Sequence, residues 1–226
     1  MTTPAPVFIA LQSRPGVVLE VTAEEIIKSP KDIVRVLKSE NADHQTWMDA
    51  SNALTATGER KLAIELLEEW SKIQESNSSK GSPEDRVGTM IMITNCYLVE
   101  SMNSGDPATQ KAMMTDASNW ITKAEAVKFD DARVWEAKGW MQFTSGNIEA
   151  AASHFKNAAG LLVTEGKTLM NHESLLAFGD TIILLYKGEY SKAAEQLIQL
   201  IRSRAVPPGA WTALGYAVGY LGHYED

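Results

Sequence analysis

Cysteine is almost missing: Cys96 stands alone in 226 residues. That excludes an internal disulfide and any metal site built from several cysteines. Histidine is scarce as well. His44, His154, His172 and His223 never fall four apart, and no His-Glu-x-x-His run occurs, so no metal is expected. Basic clusters are lacking, the nearest being Arg202 and Arg204, and the net charge is −8 with a pI near 5.1. An acidic chain without a basic stripe argues against direct nucleic-acid binding. No apolar run reaches the length of a membrane span, the densest being "TIILLY" at 181–186. The N-terminal stretch has neither the basic start nor the long apolar segment of a signal peptide. Cytosol or nucleus is therefore the expected compartment.

Catalytic chemistry is equally thin. Both phosphate-loop patterns are missing. Gly166-Lys167-Thr168 matches only the end of one, and no strand is expected before it, so it reads as a linker. Cys96, in "MITNCYLVE", has no partner base nominated by the sequence and reads as a packing residue. Asp130 and Asp131 lie between expected helices, where acids usually cap the next helix. His172, in "NHES", is expected in a solvated loop. No catalytic residue, cofactor or metal ligand is expected, and the chain does not read as an enzyme.

What is present is a repeat. Trp135, Gly139, Gly146 and Ile148 are followed by Ala151, Phe155 and Ala158; Trp211, Leu214-Gly215, Gly222 and Tyr224 reuse the opening offsets. Trp47, Gly58, Ala63 and Leu67 form a further copy, as do Gly188, Tyr190, Ala193 and Leu197. Gly188 and Gly222 are 34 residues apart, whereas Gly146 and Gly188 are 42 apart. The extra residues are placed near "VTEGKTLMNH" at 163–172. Another pair fits between Pro83 and Asp131, with a longer turn at "NSGDP" and Ala117, Ile121 and Ala124 on its second helix. W-x2-L-G, a turn glycine, then A-x3-F is the signature of the tetratricopeptide repeat (TPR), a helix–turn–helix unit of about 34 residues. An all-α, right-handed TPR-type solenoid is expected over 22–226, with four helix pairs and a half. The last stretch reads as the first helix of a pair whose second helix is cut off, which implies a truncated chain.

The spacing has a physical basis. Apolar residues at intervals of three and four make one stripe per helix. Ala63, Ala117, Ala151 and Ala193 allow close approach, and the large residue four positions later fills the gap. No pair buries its stripe alone, so pairs must stack. The turn glycines are expected in the left-handed region. "SPKD", "SPED" and "DPAT" read as helix starts, "TAEE" as a capping box and "QESNSSKGS" (74–82) as a mobile polar loop. Residues 1–21 differ: "VFIAL" and "VVLEV" flank "QSRPG". They read as an extended arm or a small strand pair turning at Pro15-Gly16. Such a pair is marginal by itself in water and must dock.

The arm, the short capped helix and the run Leu37-Lys38-x-Glu40-x6-Trp47 precede the first repeat. With Val18, Glu20, Ile33, Gly58 and Leu66-Leu67, they resemble the N-terminal region of the TPR scaffold subunit of the RNA polymerase II-associated factor (Paf) elongation complex. The resemblance implies a nuclear scaffold without enzymatic activity. Its implied partners are the subunit that gives the complex its name and the parafibromin-like subunit, and its implied role is support of transcription elongation and histone modification. A peptide-binding TPR adaptor of another system, such as a co-chaperone or a transport receptor, is the alternative.

The first helices of successive pairs line the concave side of a TPR stack. Their positions outside the packing letters are Arg133, Glu136, Trp140 and Phe143, then Leu175, Phe178, Ile182 and Tyr186, then Thr212, Tyr216 and Tyr220. An aromatic, nearly uncharged groove is expected, suited to an amphipathic helix or an extended apolar segment. The expected partner-binding set is Trp140, Phe143, Phe178, Ile182, Tyr186, Tyr216 and Tyr220. Each position competes with a plain packing role.

Overall fold

The structure, a computed structural model, describes residues 4–164, 169–202 and 210–222. The chain folds as two compact units, Met1–Lys128 and Phe129–Asp226.

The first unit opens with an antiparallel pair, β1 (Val7–Ala10) and β2 (Val18–Val21), in which Val7 faces Val21 and Ile9 faces Leu19. The turn closes where Val17 N–H donates to the Arg14 carbonyl at 3.0 Å. Gly16 takes φ +85°, as the third position of a type II turn demands. Alternation sorts the faces of β1, with Val7 and Ile9 buried and Phe8 exposed, whereas in β2 only Val21 is buried. The buried side joins Ile26, Leu37, Trp47 and Leu67 in one core. The arm therefore is a strand pair, and it docks on the helices that follow it. Ser13 secures its tip, donating from N–H (3.1 Å) and Oγ (3.0 Å) to the Glu40 carboxylate.

Six helices follow: α1 (Ala23–Lys28), α2 (Pro30–Ser39), α3 (His44–Ala56), α4 (Arg60–Ser76), α5 (Pro83–Asn103) and α6 (Pro107–Val127). Their starts are chemically marked. Thr22 and Glu25 form a capping box at α1, and Ser82 and Asp85 form one at α5. Asp106 accepts from the N–H groups of Ala108 and Thr109 at α6. Pro30 opens α2, but the Ser29 side chain makes no cap bond there, because that residue also closes α1 and takes a backbone conformation set by both helices. The segment 74–82 is more ordered than its polar composition suggests. Gln74 ends up buried in α4 and Ser78–Lys80 forms a 3-10 turn. The Lys80 ammonium donates to the Asn41 side-chain oxygen.

The second unit contains α7 (Ala132–Thr144), α8 (Ile148–Thr164), α9 (Leu169–Tyr186), α10 (Tyr190–Arg202) and α11 (Ala210–Tyr220). The small residues at the expected close approaches, Ala63, Ala117, Ala151 and Ala193, are all fully buried, as are Leu67, Phe155 and Leu197. Gly58, Gly146, Gly188 and Gly222 carry φ between +75° and +89°. Glycine enters that region without the Cβ clash other residues meet. His172 lies within α9, not in a loop: the longer spacing between turn glycines is absorbed partly by long helices. Residues 165–168 of the expected insertion, including Gly166-Lys167-Thr168, lie outside the described residues. Asp131 caps α7, accepting from Arg133 N–H at 3.0 Å.

Candidate protein-interaction face

The expected partner-binding residues all belong to the second unit, and the structure divides them by depth. Phe178 and Ile182 are fully buried. They support the face from beneath and present no side-chain surface. Trp140 and Phe143 are half-buried. Tyr186, Tyr216 and Tyr220 are 61%, 52% and 58% exposed. Leu175 and Thr212 sit on α9 and α11, but their side chains lie outside the described residues.

Trp140 joins the inner and outer layers. Its ring centroid lies 5.9 Å from Phe143, 5.0 Å from Phe155 and 5.1 Å from Phe178, and Phe155 lies 5.1 Å from Phe178. Tilted and edge-to-face rings at these separations suit the aromatic quadrupole. This cluster welds α7, α8 and α9 together. Phe155 fits because α7 carries a glycine opposite it: a Cβ on Gly139 would fall 2.6 Å from Phe155 Cε1.

One titratable group adjoins the cluster. Glu136 is one turn before Trp140 on α7, and burial pushes its pKa up, partly offset by the nearby Trp140 indole N–H. That N–H is closed off from solvent and makes no well-formed hydrogen bond. A carboxyl in these surroundings favours the neutral form.

The exposed tyrosines form a second group. Tyr190, at the start of α10, stacks on Tyr220 with centroids 4.6 Å apart and planes 11° apart. Tyr216 and Tyr220 hydroxyls are 3.1 Å apart. That hydrogen bond, with some desolvation, raises the Tyr216 pKa. Three tyrosines from two helices thus present amphipathic rings at the surface, the residue type most often found as interface anchors.

The remaining sequence candidates are structural. Cys96 is buried, and desolvation raises its thiol to about 11. That disfavours the thiolate needed for reaction. Among the described residues no group of three or more His, Cys, Asp or Glu could hold a metal, and no helix is long and apolar enough to cross a membrane.

Sequence reasoning missed the partnership of His44 and Trp70 in the first unit. Trp70 Nε1–H donates to His44 Nδ1 at 3.0 Å, and Trp70 stacks on Trp47 at 5.2 Å. Trp70 stands three residues after Leu67, so the helical stripe placed it in the core. Its hydrogen-bond partner comes from α3 and left no spacing signal.

No protein-family model and no curated protein matches this chain. Among solved structures, the chain resembles a thermophilic TPR protein of Thermus thermophilus. The TM-score is 0.54 at 17% sequence identity, over 88% of this chain and 91% of that one. Together with the helix pairs and turn glycines above, the likeness gives this chain an all-α, TPR-like helical-repeat fold with a short N-terminal strand pair.

Proposed function

We propose that the chain is a non-enzymatic protein-interaction scaffold, and more specifically the N-terminal TPR region of the scaffold subunit of the Paf elongation complex. The general part rests on the TPR-like fold, an architecture whose extended surfaces serve binding. Its main support within the molecule is the tyrosine group, half-buried Tyr190 with exposed Tyr216 and Tyr220.

The Paf assignment rests on the sequence resemblance. Its most specific feature is the order of apolar arm, short capped helix and Leu37-to-Trp47 run. In the first unit these three segments share one core, and Glu40 from that run holds the strand turn. In this reading the chain is nuclear. It binds the name-giving subunit, and the parafibromin-like subunit as a further partner, and it supports elongation and histone modification through them.

Co-expression with the name-giving subunit tests the assignment. Stable co-purification is expected. Replacing Tyr186, Tyr216 and Tyr220 together by alanine should weaken capture roughly tenfold or more without loss of helicity. Absence of co-purification would remove the Paf reading and leave the adaptor of another system as the better one. Capture untouched by the triple change would move the contact away from this face.

A further inference from the structure

His44, the first residue of α3, is held between two other helices. From α4, the Trp70 indole N–H donates to its Nδ1 at 3.0 Å, with the ring centroids 6.2 Å apart. From α5, Asp85 Oδ1 lies 3.7 Å from its Nε2. The other oxygen of Asp85 serves the α5 cap, accepting from Ser82 N–H at 2.9 Å. Asp43, His44, Lys80 and Asp85 line one polar cavity of about 570 Å³. Trp70 borders a second cavity, of about 320 Å³, together with Trp47. Lys80 and Asn41 line both and are bonded to each other.

These bonds fix the proton on the ring. An indole N–H can only donate, so the nitrogen facing it carries no proton. The single proton of neutral His44 therefore sits on Nε2, toward Asp85. Imidazolium carries a proton on both nitrogens, and Nδ1–H would then meet the indole N–H head-on. Trp70 is 1% exposed, so its N–H would lose its acceptor while buried.

The surrounding charges decide whether that conflict matters. Asp85 and Asp43 favour the cation; Lys80 and the N-terminal end of the α3 dipole oppose it. The carboxylates are weak counterweights. Asp85 is shared with the cap, and Asp43 is engaged by Thr46 N–H at 2.9 Å and Thr46 Oγ1 at 2.7 Å. Partly solvated pairs contribute little, whereas a buried donor left unpaired costs the full desolvation of the group. The clash with Trp70 therefore sets the sign. Protons can reach the ring, because the His44 side chain is 22% exposed.

We propose that His44 is a pH-sensitive latch. Neutral, it ties the first turn of α3 to Trp70 of α4 and to the cap of α5. Protonated, it releases Trp70, and the three helix segments loosen. The latch is fully engaged above the ordinary histidine value of about 6.5. Its contribution declines as pH falls below that value, since the unfolded chain then binds a proton that the folded chain disfavours. The device lies in the first unit and is independent of both the Paf assignment and the tyrosine face.

The decisive variant is His44→Asn, whose side-chain oxygen can replace Nδ1 as acceptor and does not titrate. Urea unfolding of the whole chain is followed by tryptophan emission one pH unit above and one unit below the histidine value. Across that interval the unfolding constant should rise roughly tenfold more in the parent than in His44→Asn, the factor for one proton taken up by the unfolded state. Nitrogen-15 NMR of the parent at neutral pH should place the His44 proton on Nε2, and the Trp70 indole signal should move as His44 titrates. Three results overturn the proposal: equal changes in parent and variant; a proton on Nδ1 at neutral pH; or a parent that gains on the variant in acid, which makes the imidazolium an ion-pair partner of Asp85. Should His44→Asn fail to fold, Trp70→Phe decides. Without the indole donor, His44 should titrate at higher pH than in the parent, and an unmoved titration overturns the latch.

Discussion

The pairs α3–α4 and α7–α8 share their turn and their tryptophan offset, yet they build different interiors. In α3–α4, Trp47 is buried and stacks on a second tryptophan, Trp70, and Ser51, seven residues before the turn glycine as Gly139 is in α7–α8, is buried as well. In α7–α8 the equivalent tryptophan, Trp135, stays half-buried, its Nε1–H donating to the Phe129 carbonyl at 3.2 Å. The interior there passes to Phe155, seated on Gly139, and to Trp140. The repeat letters fix how two helices turn and approach. The size of one small residue decides which aromatic becomes core.

That difference can be broken most forcefully in the first pair. Trp47→Ala should destabilise the first unit by about 3–5 kcal/mol, as large aromatic truncations in cores do, read as a lowered denaturant midpoint. A smaller and more diagnostic change is Gly139→Ala. The new methyl group meets the enclosed Phe155 ring and should cost about 1–3 kcal/mol. Phe155→Leu should recover part of this in the double variant, because contacting residues are non-additive. Gly215→Ala, the same change where space is open, should be neutral or stabilise by up to about 1 kcal/mol through helix propensity. Equal losses at Gly139 and Gly215 would refute the size argument.

Acid titration sharpens the contrast at lower amplitude. Glu136 has a raised pKa in the folded chain. Its charged form is disfavoured by folding, a cost present above the folded pKa and gone below the ordinary carboxylate range. Glu136→Gln should therefore raise the melting temperature of the second unit near pH 7 and leave it unchanged in acid. In the first unit the sign is opposite. Hydrogen bonds from Lys38 and Lys72 hold Glu69 at about 2. Its contribution is fully present above the ordinary carboxylate pKa and is lost as pH falls from there through the folded value. The carboxylate is largely solvated, so Glu69→Gln should cost less than about 1 kcal/mol near neutrality, checked by melting from neutral pH into acid.

Much of the fold could be read because its determinants are local. The turn glycines, the Thr22–Glu25 and Ser82–Asp85 boxes and the Pro15-Gly16 turn each depend on residues a few positions apart. The face was harder to read. Spacing by three and four assigns Phe178 and Ile182 to one stripe of α9, but it does not say whether a stripe meets solvent or another helix. Phe178 is covered by Trp140 of α7 and Phe155 of α8, and Ile182 joins the same core. The tyrosine group was half-visible: Tyr216 and Tyr220 lie one turn apart, whereas Tyr190 reaches them from α10. That the strand pair must dock was readable from its marginal stability, but the helices on which it docks were not, since an inner side does not name what lies under it.

The bond between Ser13 and Glu40 has a bearing on how the chain is made. A ribosome releases the strand pair before the helices on which it rests, and a lone hairpin does not persist in water. Val7, Ile9 and Val21 must stay uncovered until the segment through Trp47 has emerged and folded. For that interval the nascent chain shows an oily edge to its surroundings, so slower elongation before Trp47, or a holding chaperone, should change the yield of folded protein more than the same delay applied later.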